Sequence, residues 1–402
     1  MRHRLAFAAA ALLMAGSTLA TEATPAARQL AQDALIVDTH IDAPTELLRQ
    51  WKDLGELAEG RQFDYPKARE GGLDVAFMSI YTSANEEDAG KAWQVASMQI
   101  DAVEALVSRH PEKFALLTSP ADLERLRSDG RVLLALGMEN GAPIHEDLSE
   151  LARFKARGVR YITLAHSRAN HISDSSYDPN HRWQGLSPFG EKVVAEMNRL
   201  GMMVDVSHLS DEAVAEAVKL SRTPVIASHS AFRHFTPGFE RNISDELAKA
   251  VAAKGGVIQI PFGIPFVNRK AADDLQAYFS ASAALQKRNI AAQAAGKPLE
   301  DEAAFDKQWP IDHPNPATDI GAVLDQIDYA VKLIGIDHVG LGSDFDGVDG
   351  ALPQGLLTVA DYPNLVAGLQ ARGYKDADIR KILGGNLLRV WAEVEAGGTS
   401  AK

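Results

Sequence analysis

The stretch Leu35-Ile36-Val37-Asp38-Thr39-His40-Ile41-Asp42 determines how the rest of this chain is interpreted. Its apolar, β-branched residues predict a strand over Leu35–Thr39. In an extended chain, residues two positions apart point to the same face, so His40 and Asp42 can reach one metal ion together. Their nitrogen and oxygen donors suit zinc, manganese, iron or cobalt. The alternative is an aspartate that forms turn hydrogen bonds beside a structural histidine.

The same pattern recurs along the chain. Seven further apolar runs predict strands, and helical patterns such as Ala92–Arg109 and Asp211–Leu220 lie between them. The runs are Val75–Tyr81, Val132–Met138, Val159–Ala165, Met202–Ser207, Pro224–Ser228, Gly256–Phe262 and His338–Ser343. Eight strands that alternate with helices predict one α/β domain, a (β/α)8 TIM barrel. The C-terminal strand ends of such a barrel form one active-site face.

Three segments fall outside this alternation. Phe114–Thr118 is either an extra strand or a loop that packs on a helix. Residues 168–188 are polar and predict a long loop over the mouth of the barrel, and Asn268–Pro316 predicts a helical insertion before the last strand. Long loops in compact domains are usually functional or disordered, and we assign both segments to substrate enclosure. The expected catalytic domain is residues 21–402.

Composition excludes several classes of function. The 402 residues carry a formal net charge of −13, which argues against binding nucleic acid or an anionic membrane. Cysteine is absent, so disulfides, thiol nucleophiles and thiolate metal sites are impossible. The HExxH, phosphate-loop, dinucleotide-binding and GxSxG motifs are also missing from the chain.

The first 20 residues resemble a bacterial signal peptide. Arg2 and Arg4 precede an apolar stretch over Leu5–Ala15, and Thr18-Leu19-Ala20 offers small residues for cleavage. The apolar stretch is too short to span a membrane as a stable anchor. The expectation is a periplasmic or secreted protein without a membrane anchor.

Glu139, His208 and His229 follow three of the predicted strands. The two oxygens of Glu139 could bridge two cations, and such bridging lets two ions lie about 3.5–4 Å apart. Alone, this residue would more often be a solvated acid of a loop. The two histidines each follow a serine on consecutive strands, which suits a second metal ion. A single histidine in such a place is more often structural.

Asp344 and His166 are the candidates for catalysis. The carboxylate of Asp344 can accept a proton from an attacking water and pass it to a leaving amine, although Asp346 competes for this role. His166 can polarise the scissile carbonyl group. The remaining histidines divide into mouth-loop residues with possible substrate contact (His171, His181) and surface or capping groups (His110, His145, His234, His313, His338).

The chain resembles the membrane (renal) dipeptidase family, a zinc-dependent branch of the amidohydrolase superfamily also classed as peptidase family M19. The resemblance covers nearly all of the sequence after the signal peptide and rests on seven ordered motifs. These are Val37-Asp38-Thr39-His40-Ile41-Asp42, Gly137-Met138-Glu139-Asn140-Gly141, Tyr161-Ile162-Thr163-Leu164-Ala165-His166, Met202-Met203-Val204-Asp205-Val206-Ser207-His208, Pro224-Val225-Ile226-Ala227-Ser228-His229-Ser230, Gly342-Ser343-Asp344-Phe345-Asp346-Gly347 and Gly384-Gly385-Asn386-Leu387-Leu388-Arg389-Val390-Trp391.

The resemblance implies a dinuclear zinc centre in a metallo-dipeptidase. One Zn2+ would be held by His40 and Asp42 and the other by His208 and His229. Glu139 and a water or hydroxide would bridge the two ions.

The resemblance also implies the substrate and the residues that bind it. His166 would contact the scissile carbonyl, Arg241 the terminal carboxylate, and Asp344 would bind substrate and handle the proton. The substrate would be a dipeptide, including L-Xaa-D-Xaa, and the assembly a homodimer without a disulfide.

The chain departs from mammalian members of the family in four ways. It has no cysteine for their interchain disulfide, and it lacks their lipid-anchor tail. It has Gln259-Ile260-Pro261-Phe262 where relatives usually have an asparagine-aromatic pair, and the insertion over Asn268–Pro316 is longer. The last two differences bear on which substrate side chains are preferred.

Two other functions remain open from the residues. A superfamily relative acting as a lactonase, phosphotriesterase or deaminase could use the same barrel, since fold does not fix function. The other alternative is a non-catalytic binding protein with the same barrel fold. Glu139, where many relatives use a modified lysine, and Arg241 both favour the dipeptidase.

Overall fold

The computed structural model describes residues 23–127 and 129–398. The expected signal peptide therefore lies outside the described residues. The strands of the described part are β1 (Ile36–Ile41), β2 (Leu73–Tyr81), β3 (Phe114–Leu116), β4 (Val132–Glu139), β5 (Val159–Thr163), β6 (Met203–Asp205), β7 (Ile226–Ala227), β8 (Val257–Ile260) and β9 (Val339–Leu341).

Helices surround the strands. The α-helices of the described part are α1 (Pro25–Asp33), α2 (Ala43–Arg49), α3 (Tyr65–Gly71), α4 (Ala84–Asp88), α5 (Ala92–Arg109), α6 (Leu123–Arg127), α7 (Ser149–Ala156), α8 (Pro188–Leu200), α9 (Asp211–Leu220), α10 (Asp245–Ala253), α11 (Ile264–Val267), α12 (Arg269–Ala294), α13 (Glu302–Asp312), α14 (Ile320–Ile334), α15 (Tyr362–Ala371), α16 (Asp376–Arg380) and α17 (Asn386–Gly397). Short 3-10 helices cover Pro120–Asp122, Ala142–Ile144, Arg233–Phe235, Ile336–His338 and Val359–Asp361, and Lys381–Gly385 forms a π-helical turn. Among the described helices, none has both the length and the apolar character needed to cross a membrane.

Eight of the strands form a parallel barrel in the order β1-β2-β4-β5-β6-β7-β8-β9. The ring closes just beyond β9, where Ile41 forms a parallel bridge with Phe345. Two backbone hydrogen bonds support this closure: Asp42 donates to the carbonyl of Phe345 at 2.8 Å, and Asp344 donates to that of His40 at 3.0 Å. The predicted (β/α)8 TIM barrel is confirmed.

The undecided segment Phe114–Thr118 contributes an extra strand. β3 pairs in parallel with the first residues of β4, while β5 pairs with the later ones. The helical insertion expected over Asn268–Pro316 contains α12 and α13, which follow α11 between β8 and β9.

Apolar side chains fill the end of the barrel opposite the candidate site. Val37, Val75 and Leu133, near the starts of their strands, pack in one apolar cluster with residues of α17. Trp391 of that helix is fully buried and its ring lies 5.2 Å from the ring of Phe77. The C-terminal helix therefore plugs this end and leaves the C-terminal strand ends free for polar side chains.

Several predicted strand bounds are wrong. β1 runs through Ile41, so His40 lies within the strand, whereas the runs predicted as Met202–Ser207 and Pro224–Ser228 pair only over β6 and β7. The reason is a change of hydrogen-bond partner. Beyond these short strands, the backbone N–H groups of Ser207 and Ser228 donate to the carboxylate of Asp205, at 3.1 and 2.8 Å, instead of to a neighbouring strand.

Candidate metal centre

The five side chains predicted to bind metal lie together at the C-terminal ends of the strands. Nε2 of His40 is 3.4 Å from Oδ2 of Asp42 and 3.4 Å from Oε2 of Glu139. The other oxygen of Glu139, Oε1, is 3.0 Å from Nε2 of His208 and 3.2 Å from Nε2 of His229. Residues up to 189 positions apart in the sequence thus share one buried site.

The prediction that His40 and Asp42 lie on one face of an extended strand is wrong for Asp42. Asp42 is not in an extended strand but at the N-cap of α2, with φ −88° and ψ 18°. Its carboxylate reaches the site because the chain turns there, and Gly347 makes room for it. A Cβ at Gly347 would lie 2.3 Å from Oδ2 of Asp42 and 2.5 Å from Oδ1 of Asp344.

Glu139 connects two sets of donors. Its Oε2 faces His40, and its Oε1 faces His208 and His229. Two groups of potential ligand atoms, each within 4.8 Å of one another, share this carboxylate; a third joins His40, Asp42 and Asp344. A carboxylate with its two oxygens directed at different donor sets has the geometry required to bridge two cations.

Hydrogen bonds hold two of the imidazoles with one nitrogen facing the site. The hydroxyl of Tyr161 donates to the carbonyl of Thr39 at 2.8 Å, so it accepts from Nδ1 of His40 at 3.0 Å. The hydroxyl of Ser228 donates to Asp205 at 2.6 Å and likewise accepts from Nδ1 of His229 at 2.8 Å. In both residues Nε2 therefore carries no proton and keeps its lone pair free, as a nitrogen must to bind a metal ion.

Two buried aspartates support the site from behind and were missed by the sequence analysis. Asp205 also accepts from the hydroxyl of Thr163 at 2.5 Å. Asp38 accepts from the backbone of His40 at 3.0 Å and of Ser343 at 2.9 Å, and from the hydroxyl of Tyr362. A carboxylate within an otherwise apolar strand is the sequence signal that could have identified both.

The unpaired polar atoms of the site fit a divalent cation. Nε2 of His40 and Oδ2 of Asp42 are buried without a hydrogen-bond partner. Nε2 of His208 also lies 2.8 Å from Nε2 of His229. Burying unpaired polar groups is costly, and buried charges are usually paired or coordinate metals. The nitrogen and oxygen donors, without sulfur, suit zinc and related ions.

Burial and neighbouring charges set the protonation of the ligands. Burial lowers the pKa of both His208 and His229 well below the usual value; Arg241 adds to the effect for both, and His40 does so for His229. Burial opposes ionisation of Glu139, but the surrounding imidazoles, His40 foremost, outweigh it and hold the pKa of Glu139 well below its usual value. Neutral imidazoles and an ionised carboxylate are the forms that ligate metal.

Asp344 and Asp346 have different surroundings. Asp344 belongs to a cluster with His40 and Asp42, and burial followed by the charge of Asp42 raises its pKa well above the usual value. The carboxylate of Asp346 instead accepts from the backbone of Gln62 at 2.8 Å and of Phe63 at 3.3 Å. Asp346 is therefore engaged in holding a loop, and Asp344 faces the cluster.

His166 lies beside the five candidate metal ligands. Its Nε2 is 3.6 Å from Oε1 of Glu139, and burial lowers its pKa, so the ring is neutral and can donate a hydrogen bond. Its ring packs edge-on against Tyr81, with centroids 4.7 Å apart. Tyr81 is the last residue of β2 and was not singled out from the sequence, since a tyrosine at a strand end is common in barrel cores.

Arg241 lies behind the wall of the cavity. Its side chain is 3% exposed and donates to the hydroxyl of Ser230 at 3.0 Å and to the carbonyl of His229 at 2.7 Å. One of its nitrogens is 3.1 Å from Nε2 of His208, and its Nε has no hydrogen-bond partner. A buried guanidinium with a free donor is suited to an anionic ligand.

A cavity of about 450 Å³ opens over these groups. Asp42, Glu139, His166, His208 and Asp344 line its floor, and residues of the mouth loop and of α12 line its upper part. His171 and His181 do not line it; each is within 4 Å of glutamate carboxylates instead. Of the histidines expected as surface or capping groups, His110 is half-buried and its Nε2 lies 2.7 Å from a carboxylate oxygen of Asp53.

Comparison with known proteins gives consistent matches. A family model described as membrane dipeptidase, peptidase family M19, matches residues 25–402. Dipeptidase aclJ of Aspergillus oryzae is 32% identical over 341 residues, which cover 83% of this chain and 70% of that protein. Dipeptidase tcpJ of Claviceps purpurea is 31% identical over 366 residues, 89% of this chain and 73% of that protein. The crystal structure of the probable dipeptidase PvdM from Pseudomonas aeruginosa has a TM-score of 0.77 and 28% identity, covering 93% of this chain and 98% of that one.

Ser228→Ala should weaken zinc binding by roughly 10- to 100-fold, because His229 then loses the hydroxyl that orients it. Competition with a chromogenic chelator measures the affinity. Ser221→Ala is the matched control, since that buried hydroxyl bonds Asn198 and Thr223 away from the site and its loss should leave zinc affinity unchanged. Equal affinities for the two variants would contradict the role of Ser228.

Proposed function

The chain belongs to the membrane dipeptidase family, peptidase family M19, and we propose that it is a dinuclear zinc dipeptidase that hydrolyses dipeptides, including L-Xaa-D-Xaa. The observation that carries the proposal is the position of Glu139, whose two oxygens face separate sets of nitrogen and oxygen donors. Five ligands in this arrangement could hold two ions, with His40 and Asp42 on one side and His208 and His229 on the other. The preference for D-residues comes from the family resemblance alone.

His40, Asp42, Glu139, His208 and His229 would hold the ions, which would supply Lewis acidity and make the attacking water more acidic. The ligand set supports this chemistry because burial keeps His208 and His229 neutral and thus able to ligate. Glu139 adds the negative charge that two neighbouring cations require between them.

The chain's own residues then position the substrate and move the proton. Nε2 of His166 donates a hydrogen bond to the scissile carbonyl and stabilises the negative charge that develops there. A carboxylate oxygen of Asp344 takes the proton from the attacking water and passes it to the leaving amine. The guanidinium of Arg241 binds the terminal carboxylate, which restricts substrates to those that end one residue after the scissile bond.

Export and assembly are proposed from the N-terminal sequence and from the family resemblance. The basic and apolar N-terminus supports a signal peptide over residues 1–20 and a periplasmic or secreted location. A homodimer follows from the resemblance, and it would form without a disulfide because the chain has no cysteine.

The purified protein, dialysed against zinc, should bind about two ions per chain, the stoichiometry of a two-metal site. Elemental analysis measures the content. His229→Ala should lose at least one ion, whereas His313→Ala, on the exposed insertion near Asp274, should keep both. If the wild-type protein retains no zinc after this dialysis, the dinuclear proposal is wrong.

Asp344→Asn should keep both ions but lose roughly 100-fold or more of kcat, because the amide cannot accept the proton. Asp346→Asn is the comparison, since that carboxyl group bonds backbone N–H groups and its loss should affect thermal stability more than turnover. Dipeptide hydrolysis and metal content are measured on both variants. Near-normal turnover by Asp344→Asn would reassign the proton transfer.

Arg241→Ala should raise KM for dipeptides with a free C-terminus and have far less effect on C-amidated analogues, because only the former present a carboxylate to the guanidinium. Arg241→Lys retains the charge but not the bidentate geometry, and should be intermediate. Melting temperatures are measured in parallel, since the arginine is buried. An equal loss on free and amidated substrates would refute carboxylate binding.

A further inference from the structure

A separate apolar cluster lies at the mouth of the barrel. It is distinct from the clusters that fill and surround the barrel, and it joins the mouth loop, the segment after β7, α11 and α12. Its members are Ala231, Phe239, Phe266 and Ala272, with Tyr177, Leu275 and Val348 packed against them. Such a satellite cluster gives the insertion a packed, defined position over the cavity.

The walls of the cavity differ in character. Four of the side chains that line the cavity are aspartates: Asp42, Asp344, Asp346 and Asp349. The wall formed by the cluster and by α12 is apolar, with Phe266, Leu275, Phe279 and Val348 facing the cavity. A dipeptide has an ammonium group at one end and a carboxylate at the other, so this asymmetry orients it.

The apolar wall lies next to Arg241. The guanidinium carbon is 5.0 Å from the ring centroid of Phe266, and the positive charge of the same guanidinium acts on the phenol of Tyr177. Tyr177 in turn stacks on Phe279 of α12, with ring centroids 4.1 Å apart and planes 25° apart. If Arg241 binds the terminal carboxylate of a substrate, the Cα atom of the substrate's C-terminal residue lies beside these rings.

We infer that Tyr177, Phe266, Leu275 and Phe279 form the subsite for the side chain of the substrate's C-terminal residue, and that the subsite selects large apolar and aromatic side chains. The inference rests on the proposed function and adds the substrate class. Burying such a side chain against these residues removes apolar surface from water, a gain that glycine or aspartate at the same position does not provide.

Two aromatic residues of the proposed subsite also line a second cavity. A second cavity of about 250 Å³ lies on the other side of Tyr177, Tyr278 and Phe279, which line both cavities. The stacked pair of Tyr177 and Phe279 therefore contributes to the lining of both cavities.

Steady-state kinetics on a series Ala-Gly, Ala-Asp, Ala-Leu and Ala-Phe tests the inference with the zinc-loaded enzyme. The values of kcat/KM for Ala-Leu and Ala-Phe should exceed that for Ala-Gly by roughly 10-fold or more, as apolar pockets discriminate by this order for a few carbon atoms. Phe279→Ala should lower kcat/KM for Ala-Leu and Ala-Phe far more than for Ala-Gly, and so remove most of the advantage.

Phe305→Ala is the matched control. Phe305 stacks on Tyr278 within the same insertion, 5.7 Å between centroids, but does not line either cavity. It should therefore keep the wild-type order of substrates. Equal kcat/KM across the series, or a uniform loss in Phe279→Ala, overturns the subsite and leaves the dipeptidase intact; absence of hydrolysis of every dipeptide overturns the proposed function instead.

Binding to chelator-treated protein separates the subsite from catalysis. Calorimetry should show that 3-phenylpropanoate binds roughly 10-fold or more tightly than propanoate, since both carry the carboxylate and only one carries the ring. Phe279→Ala should abolish this difference and Phe305→Ala should retain it. Equal affinities of the wild-type protein for the two acids overturn the subsite even if dipeptides are cleaved.

Discussion

The central constraint on this structure is the carboxylate of Glu139, buried among four imidazoles. His40, His166, His208 and His229 each place a nitrogen within 3.6 Å of one of its oxygens. An isolated buried carboxylate would be expensive, so the strand ends must bring these groups to it together. The parallel barrel does this because its C-terminal strand ends meet at one face. The ligand positions, the barrel closure and the cavity above all depend on that convergence.

The imidazoles are in turn positioned by groups deeper in the barrel. Tyr161 orients His40, and the pair Asp205 and Ser228 orients His229. The ring of Tyr161 fits only because Gly137 has no side chain, since a Cβ there would lie 1.9 Å from Cζ of the tyrosine. Packing and chemistry are therefore coupled: the small residue in β4 allows the tyrosine in β5, and the tyrosine selects the tautomer of the histidine in β1.

The sequence predicted the barrel and the groups at its mouth because each candidate ligand follows an apolar run, and that pattern is visible without the structure. It did not reveal Asp38, Asp205 or Tyr161, because most of their hydrogen-bond partners lie on other strands and segments that only the folded barrel brings close. The bounds of β6 and β7 could not be predicted either, since a side chain, Asp205, takes over the backbone hydrogen bonds there. Arg241 became a candidate only through the family resemblance, because in the sequence it resembles any surface charge. The apolar periodicity of α12 likewise did not show which of its residues face the cavity.

Closure of the ring by Ile41 and Phe345 has a consequence for synthesis of the protein. The two residues stand at opposite ends of the chain, and the helix that plugs the barrel, α17, comes later still. A chain made from its N-terminus therefore has β1 and its neighbour β2 long before it has the segment that closes the ring on the other side of β1. Contacts so distant in sequence form slowly, because a large loop must close first. The mouth of the barrel is therefore completed only after the segment that carries Phe345 has been made.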